Sequence, residues 1–262
     1  MTSNHDSPAP ASQANAAASL AIVTGASRGL GEALAAEFIR AGTPLITLAR
    51  GRSSTLDTLA KQHGTPLTQL QADLSTAQGA QHAGEQLAQL IPRALSRCIL
   101  INNAGTVEPI SNSERLGNAT AISSAFTLNV TSLMVLTAAV LRAAATTDCR
   151  ILNISSGAGR NPMPGWGVYC ATKAAVDMYT RVLAQEHPNV RAAALAPGVV
   201  DTEMQHVIRS SDARDFPNLD RFRGLHEHGQ LASPADTARL ILQYISRDDF
   251  GTTVLDDIRN YS

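Results

Sequence analysis

Leu20-Ala21-Ile22-Val23-Thr24-Gly25-Ala26-Ser27-Arg28-Gly29-Leu30-Gly31 decides how this chain is read. Leu20 to Thr24 is a short apolar run with three β-branched residues, the composition of a buried strand. From Leu30 to Ala41 the pattern becomes helical, with Leu34, Phe38 and Ala41 on one face and Gly42 as the stop. A strand that passes through a glycine-rich turn into a helix offers unpaired N–H groups and a partial positive charge to an anion. In a βαβ setting that anion is a dinucleotide pyrophosphate, bounded here by Gly25, Ser27, Arg28, Gly29, Leu30 and Gly31. The plainer alternative is a tight turn that only connects two elements.

The alternation continues along the chain. Strands are expected at Pro44 to Ala49, Leu67 to Ala72, Cys98 to Asn102, Arg150 to Ser155 and Val190 to Leu195, with a seventh at Thr252 to Leu255. Helices are expected at Thr55 to His63, Ala77 to Ile91, about 119–145, Trp166 to Glu186 and Ala235 to Ser246. Strands separated by helices pair in parallel through right-handed crossovers. The expected fold class is therefore α/β: a Rossmann-type doubly wound parallel sheet of about seven strands, flanked by helices on both faces. Ligands of such sheets bind at the carboxyl ends of the strands. Residues 19–262 read as a single domain, and residues 1–18, rich in Ala, Ser, Asn and Pro, as a disordered leader. Residues 202–232 carry Arg, Asp and His without a clean period; they are expected to form a substrate lid, or else a long surface loop.

Composition narrows the partners. The chain has 262 residues, with 21 basic and 22 acidic side chains and a net charge of −1. That balance gives no electrostatic ground for a nucleic-acid or anionic-membrane partner. No segment offers about twenty uninterrupted apolar residues, and the leader lacks the basic start and apolar stretch of a secretory signal. Cys98, Cys149 and Cys170 are too widely spaced for a zinc site or a disulfide framework, so a reduced, cytoplasmic setting is expected. His226-Glu227-His228 is not read as a metal site, because residues at i and i+2 of a helix point apart.

Two further signals concern chemistry. Tyr169 and Lys173 stand four apart and share a helix face, with Ser156 upstream. A free phenol has a pKa of about 10, and a neighbouring cation favours its phenolate and lowers that value. Where an acidic residue would bind a ribose 2′-hydroxyl, the chain has Ala49-Arg50-Gly51-Arg52. Guanidinium groups suit a 2′-phosphate, so NADPH is expected over NADH; otherwise these arginines are solvated surface charges.

In order and spacing, Thr24-Gly25-x-x-x-Gly29-x-Gly31, Asp73-Leu74, Asn102-Asn103-Ala104-Gly105, Asn129, Ser156, Tyr169 with Lys173, and Pro197-Gly198 with Thr202 resemble the short-chain dehydrogenase/reductase superfamily from Leu20 on. Asn153-Ile154-Ser155-Ser156, Gly165-Trp166-x-x-Tyr169-Cys170-Ala171-x-Lys173 with Asp177-Met178, and Ala196-Pro197-Gly198-x-x-Asp201-Thr202-x-Met204-Gln205 resemble its sepiapterin and benzil reductase branch. The resemblance implies an NADPH-dependent reductase of one carbonyl of a vicinal dicarbonyl. Other ketones, such as 3-oxoacyl substrates, and a non-catalytic NADP(H)-sensing protein are the alternatives. It implies Tyr169 as general acid, Lys173 as its electrostatic partner and ribose ligand, Ser156 as holder of the carbonyl oxygen, and Asn129 as the residue that positions a proton-relay water. It places Asp73 and Leu74 at the adenine, Asn102, Ala104 and Gly105 at the nicotinamide floor, and Pro197, Gly198, Val200, Thr202 and Met204 at the nicotinamide amide. Met163, Pro164, Trp166 and Met204 are expected to wall an apolar pocket suited to an aromatic ketone, or else to serve in part as helix-entry or dimer packing residues. The carboxylate that anchors a pterin in that branch is sought at Asp256, with Asp257 as the alternative. A homodimer through the long helices is implied, with a tetramer as the other option.

Overall fold

The computed structural model describes residues 19–93, 95–144 and 148–261. The leader expected over 1–18, and residue 145 at the expected end of the long helix, lie outside the described residues. The elements run β1 (Ser19–Thr24), α1 (Gly29–Arg40), β2 (Leu45–Ala49), α2 (Ser54–His63), β3 (Leu67–Gln71), α3 (Ala77–Leu90) and β4 (Arg97–Asn102). They continue with α4 (Ala119–Phe126), a π turn (Thr127–Thr131), α5 (Ser132–Ala143), β5 (Asp148–Ile154), α6 (Gly167–Glu186) and β6 (Val190–Ala196). The chain closes with α7 (Glu203–Arg209), α8 (Leu219–Glu227), α9 (Pro234–Ser246) and β7 (Leu255–Asp257).

All seven strands pair in parallel in one sheet, in the order β3-β2-β1-β4-β5-β6-β7. The period-two alternation of side chains divides the core in two. Ala21, Val23, Ile99, Ile101, Leu152 and Leu195 pack against Leu34, Phe38 and Ile39 of α1 and Ile241 and Ile245 of α9. Leu20, Ile22, Cys98, Leu100 and Ile151 face the other way, onto Leu87 of α3, Leu136 and Val140 of α5 and Leu183 of α6. Because β1 pairs with β2 on one side and β4 on the other, the strand order reverses between β1 and β4. That switch point opens a crevice at the carboxyl ends of the strands.

The structure corrects two expected elements and fills in a third segment. The long helix is not continuous: the N–H of Ser132 reaches five residues back to Thr127 O. The Leu128 carbonyl, skipped by this bond, accepts from Ser132 Oγ at 2.7 Å instead. A single inserted residue of this kind is invisible to hydrophobic periodicity. The 25-residue stretch Ala119–Ala143 is by length and composition apolar enough to cross a membrane, yet half of its most apolar window is buried inside this structure, including Leu136 and Val140. The last strand begins at Leu255 rather than Thr252. Thr252 is held in a turn by bonds from its N–H and Oγ1 to Asp249 O at 3.1 and 2.8 Å. Residues 202–232, expected as a lid or else a long surface loop, contain α7 and α8, helices of 7 and 9 residues.

Candidate active site

A cavity of about 890 Å³ runs along the carboxyl ends of the strands, from the glycine loop to Tyr169. Its volume lies in the range of about 300–1,000 Å³ typical of ligand sites. Gly25 and Gly29 take the left-handed conformation, with φ of 68° and 59°, and Gly31 lets the loop fold on itself. A Cβ on Gly31 would lie 2.2 Å from Gly25 O and 2.5 Å from Asn103 Nδ2. The loop after β4 clamps this turn: Asn103 Nδ2 donates to Thr24 O, and Thr24 Oγ1 accepts from the N–H groups of Asn103 and Ala104, all at 2.9 Å. Ser53, Thr76 and Ser233 cap α2, α3 and α9 with their side chains, whereas α1 starts at Arg28 with no side-chain cap. The first-turn N–H groups of α1 are thereby left for an anion.

Ser27, Arg28, Leu30, Arg50, Asp73, Leu74, Ala104, Gly105, Pro197, Gly198, Val200, Thr202 and Met204 all line the cavity. Asn102 does not. It is buried, with Nδ2 donating to Asn153 Oδ1 at 2.9 Å and Thr137 Oγ1 at 3.1 Å. It is the last strand residue and points into the layer below, while Asn103 opens the loop and faces the cavity. Arg52 is drawn away to Asp57 at 3.2 Å, which leaves Arg50 as the cavity-lining guanidinium at the end of β2. Hydrogen bonds from Ser75, and more weakly the charge of Arg50, hold the Asp73 carboxyl below its ordinary value.

At the other end of the cavity α6 carries Tyr169 and Lys173, 7% and 5% exposed. Ser156 stands at the Tyr169 hydroxyl and favours its ionised form, and its Oγ accepts from the N–H of Ala158 at 3.2 Å. Lys173 Nζ donates to Ile154 O at 2.7 Å and sits 5.7 Å from the centroid of the Tyr169 ring. The expected lowering of the tyrosine is not what this geometry yields. Burial pushes the Tyr169 phenol up to about 12, against the opposing effect of the neighbouring Ser156 hydroxyl. Burial also lowers Lys173 to about 8, opposed by the nearby Asp177 carboxylate. Near neutral pH the pair is a neutral phenol beside an ammonium, an arrangement able to give up a proton. Asn129 is 2% exposed and does not line the cavity. Its Oδ1 accepts from Thr106 N at 2.8 Å, and its Nδ2 donates to Thr106 O at 2.8 Å and Thr172 Oγ1 at 3.0 Å. The side chain is committed to protein partners; what it positions directly is the Gly105–Thr106 loop beside Lys173.

Met163, Trp166 and Met204 line the cavity, and Pro164 does not. Trp166 meets Tyr169 edge-on, with centroids 5.3 Å apart, and stacks on Phe216 at 4.9 Å; Phe222 packs at 5.3 Å. Phe216 and Phe222 lie outside every motif of the sequence. Their spacing with Leu219, at i, i+3 and i+6, is the signal that was there. They anchor the 202–232 segment over the site, helped by Asp215, which pairs with Arg115 at 3.0 Å and accepts from Ser111 Oγ at 3.3 Å.

The C-terminal carboxylate expectation is corrected. Asp256 is 3% exposed and turned away from the cavity; its Oδ2 accepts from the hydroxyls of Tyr261 at 2.7 Å and Tyr244 at 3.1 Å, and its Oδ1 from Asn260 Nδ2 at 3.1 Å. Adjacent residues of a strand face opposite ways, so Asp257 is the one that lines the cavity. Its carboxylate is paired with Arg259 through Nε at 2.8 Å and Nη2 at 2.5 Å.

A family model described as short chain dehydrogenase matches residues 19–213. The chain is 38% identical over 237 residues to benzil reductase ((S)-benzoin forming) of Bacillus cereus, covering 87% of this chain and 94% of that one. It is 35% identical over 241 residues to sepiapterin reductase of Rattus norvegicus, covering 87% and 92%. Among solved structures, the KRED1-Pglu enzyme superposes with a TM-score of 0.77 at 28% identity, over 90% of this chain and 99% of that one. A short-chain dehydrogenase from Sphingobium yanoikuyae in complex with NADPH gives a TM-score of 0.69 at 26% identity, over 91% and 87%. With a parallel sheet switching at β1 and β4, a glycine loop opening α1, and a serine, tyrosine and lysine gathered at the far end of the cavity, the chain belongs to the short-chain dehydrogenase family of oxidoreductases.

Proposed function

We propose that this chain is an NADPH-dependent reductase of one carbonyl of an aromatic vicinal dicarbonyl. The observation that carries the reading is the Ser156–Tyr169–Lys173 cluster opening onto a cavity walled by Trp166, Met163 and Met204. The uncapped N-terminus of α1 and the left-handed glycines fit a pyrophosphate, and Arg28 and Arg50 fit a 2′-phosphate. Asp73 and Leu74 border the adenine side, and Pro197, Gly198, Val200 and Thr202 the nicotinamide side. The cofactor, when bound, supplies the hydride. Ser156 holds the carbonyl oxygen and Tyr169 gives it a proton, while the Lys173 ammonium stabilises the negative charge left on the phenol.

Substrate preference follows from the carboxylates. A pterin anchor needs a free carboxylate, and Asp257 is engaged by Arg259 while Asp256 is enclosed by two tyrosines and an asparagine. The wall next to Trp166 carries Val107, Met163, Met204, Val207, Ile208 and Phe222, an apolar and aromatic surface that favours a neutral aryl diketone. A cytoplasmic homodimer completes the proposal; Met178 and Val182, one turn apart on α6 and 56% and 41% exposed, suit such a contact. NADPH oxidation against benzil, isatin, sepiapterin and an acetoacetyl thioester, repeated with NADH, tests it. The highest kcat/KM is expected for benzil with NADPH. Faster turnover of sepiapterin or the thioester overturns the substrate reading, and comparable rates with NADH overturn the cofactor reading. Tight NADPH binding without turnover of any ketone favours a sensing role.

A pH profile follows from the same pair. Carbonyl reduction consumes a proton, and Tyr169 keeps its own up to about 12. Of the two, Lys173 loses its proton first as the pH rises, at about 8. Activity is therefore expected to be highest below that value and to fall as pH rises through it. A pH series of kcat with saturating ketone and NADPH checks this; a rate still level at about pH 10, where the free ammonium titrates, counts against it.

A further inference from the structure

We propose that Asp177 and Arg160 form a positioning pair for the reaction, in which one buried carboxylate fixes the Ser156 turn from behind and sets the charge around Lys173. This inference rests on the reductase reading of the same site. Asp177 lies one turn beyond Lys173 on α6, so the two share a face. It is 5% exposed. Its Oδ1 accepts from Ser155 Oγ at 2.5 Å and its Oδ2 from Arg160 Nε at 2.9 Å. Ser155 immediately precedes Ser156, and its own N–H is tied to Leu195 O at 2.8 Å. The carboxylate thus grips the turn that presents Ser156 on both sides, at residue 155 and at residue 160.

Arg160 extends the grip. Its Nη1 donates to Asp256 O at 3.0 Å and its Nη2 to Ala194 O at 3.1 Å, so every guanidinium nitrogen is bonded. The pair ties α6 to β6 and β7, and through β7 to the Asp257 wall of the cavity. A buried carboxylate is unfavourable unless paired and hydrogen-bonded, and here both oxygens are.

The electrostatic half of the role concerns Lys173. The groups around its ammonium are Tyr169 on its own helix, Asn129 of the π turn, the Ile154 carbonyl of β5, and Asp177 with its partner Arg160. Of these only Asp177 is an anion, and it raises the proton affinity of Lys173 against the effect of burial. A purely structural tie between α6 and the Ser156 turn would need hydrogen bonds and no charge.

Asp177→Asn keeps the size of the side chain and an acceptor for Ser155, but it removes the charge and turns an NH2 toward Arg160 Nε, which releases the turn at residue 160; Asp177→Glu restores the carboxylate. Asp177→Asn is expected to bind NADPH with unchanged affinity and to lower kcat roughly ten- to a hundredfold through misplacement of Ser156, with little change in KM. The pH at which kcat falls is expected to move down by about one unit, and Asp177→Glu to recover part of both. Ser155→Ala, which leaves the ion pair intact, is expected to lower kcat without moving the pH profile, and keeps the idea testable if Asp177→Asn does not fold. A readout independent of turnover is the pH midpoint of Lys173 acylation by an amine-reactive reagent, followed by peptide mass spectrometry. A lower midpoint in Asp177→Asn supports the pair even if no ketone is turned over by the parent protein, a result that would count against the reductase reading alone. An unchanged midpoint, or wild-type kcat in both Asp177→Asn and Ser155→Ala beside an active parent, overturns the pair.

Discussion

Tyr169→Phe is expected to lower ketone turnover by about 10² to 10⁴, the usual contribution of a positioned general acid, while NADPH still binds. The substitution removes one hydroxyl and keeps the ring. The edge-on contact with Trp166, with centroids 5.3 Å apart, and the cluster with Phe216 and Phe222 depend on the ring alone. Ser156 keeps its bond from Ala158 N, so its oxygen is not left without a partner. Lys173 keeps its bond to Ile154 O. The loss should therefore fall on proton delivery rather than on folding or on the cofactor end of the cavity. Steady-state kcat on benzil, paired with NADPH affinity from fluorescence, separates these effects. Retained turnover would show that the proton comes from elsewhere.

Gly31→Ala is expected to have the second large effect, at the opposite end. A methyl group there meets a backbone carbonyl at 2.2 Å and the Asn103 amide at 2.5 Å. Neither can step aside cheaply. Gly25 O belongs to a residue held at φ 68°, and Asn103 Nδ2 is the clamp on Thr24 O. Overpacking of this kind costs about 3 kcal/mol, which corresponds to roughly a hundredfold in NADPH affinity if the loop shifts to relieve it. Gly51→Ala is the control, since a Cβ there meets nothing within 4 Å. Titration of NADPH into both variants checks the contrast. Parent-like affinity in Gly31→Ala would mean that the glycine loop does not hold the cofactor.

Much of this site was legible before any coordinates. The Leu20 to Gly31 stretch, the alternation of strands and helices, and the four-residue spacing of Tyr169 and Lys173 are local patterns, set by the periods of strand and helix. The errors fell where one residue decides a direction. Asn102 and Asn103 differ by one position, and the strand ends between them, so one faces the layer below and the other the cavity. Asp256 and Asp257 differ in the same way: alternation along β7 turns Asp256 to Tyr244 and Tyr261 and Asp257 to the cavity. The π turn hid behind an unbroken apolar pattern, though it turns Asn129 inward.

By itself the sequence determined the parallel sheet, the glycine turn into α1 and the presence of a phenol and an ammonium on one helix face. These depend on residues within a few turns of one another. Only the tertiary structure decided which groups surround that pair. Arg160 meets Asp256 O across 96 positions, and Asp215 meets Ser111 across 104. It also decided the protonation of the pair, because burial moves Tyr169 up and Lys173 down more than either moves the other. Desolvation depends on everything packed around a group, and no spacing within a helix encodes it.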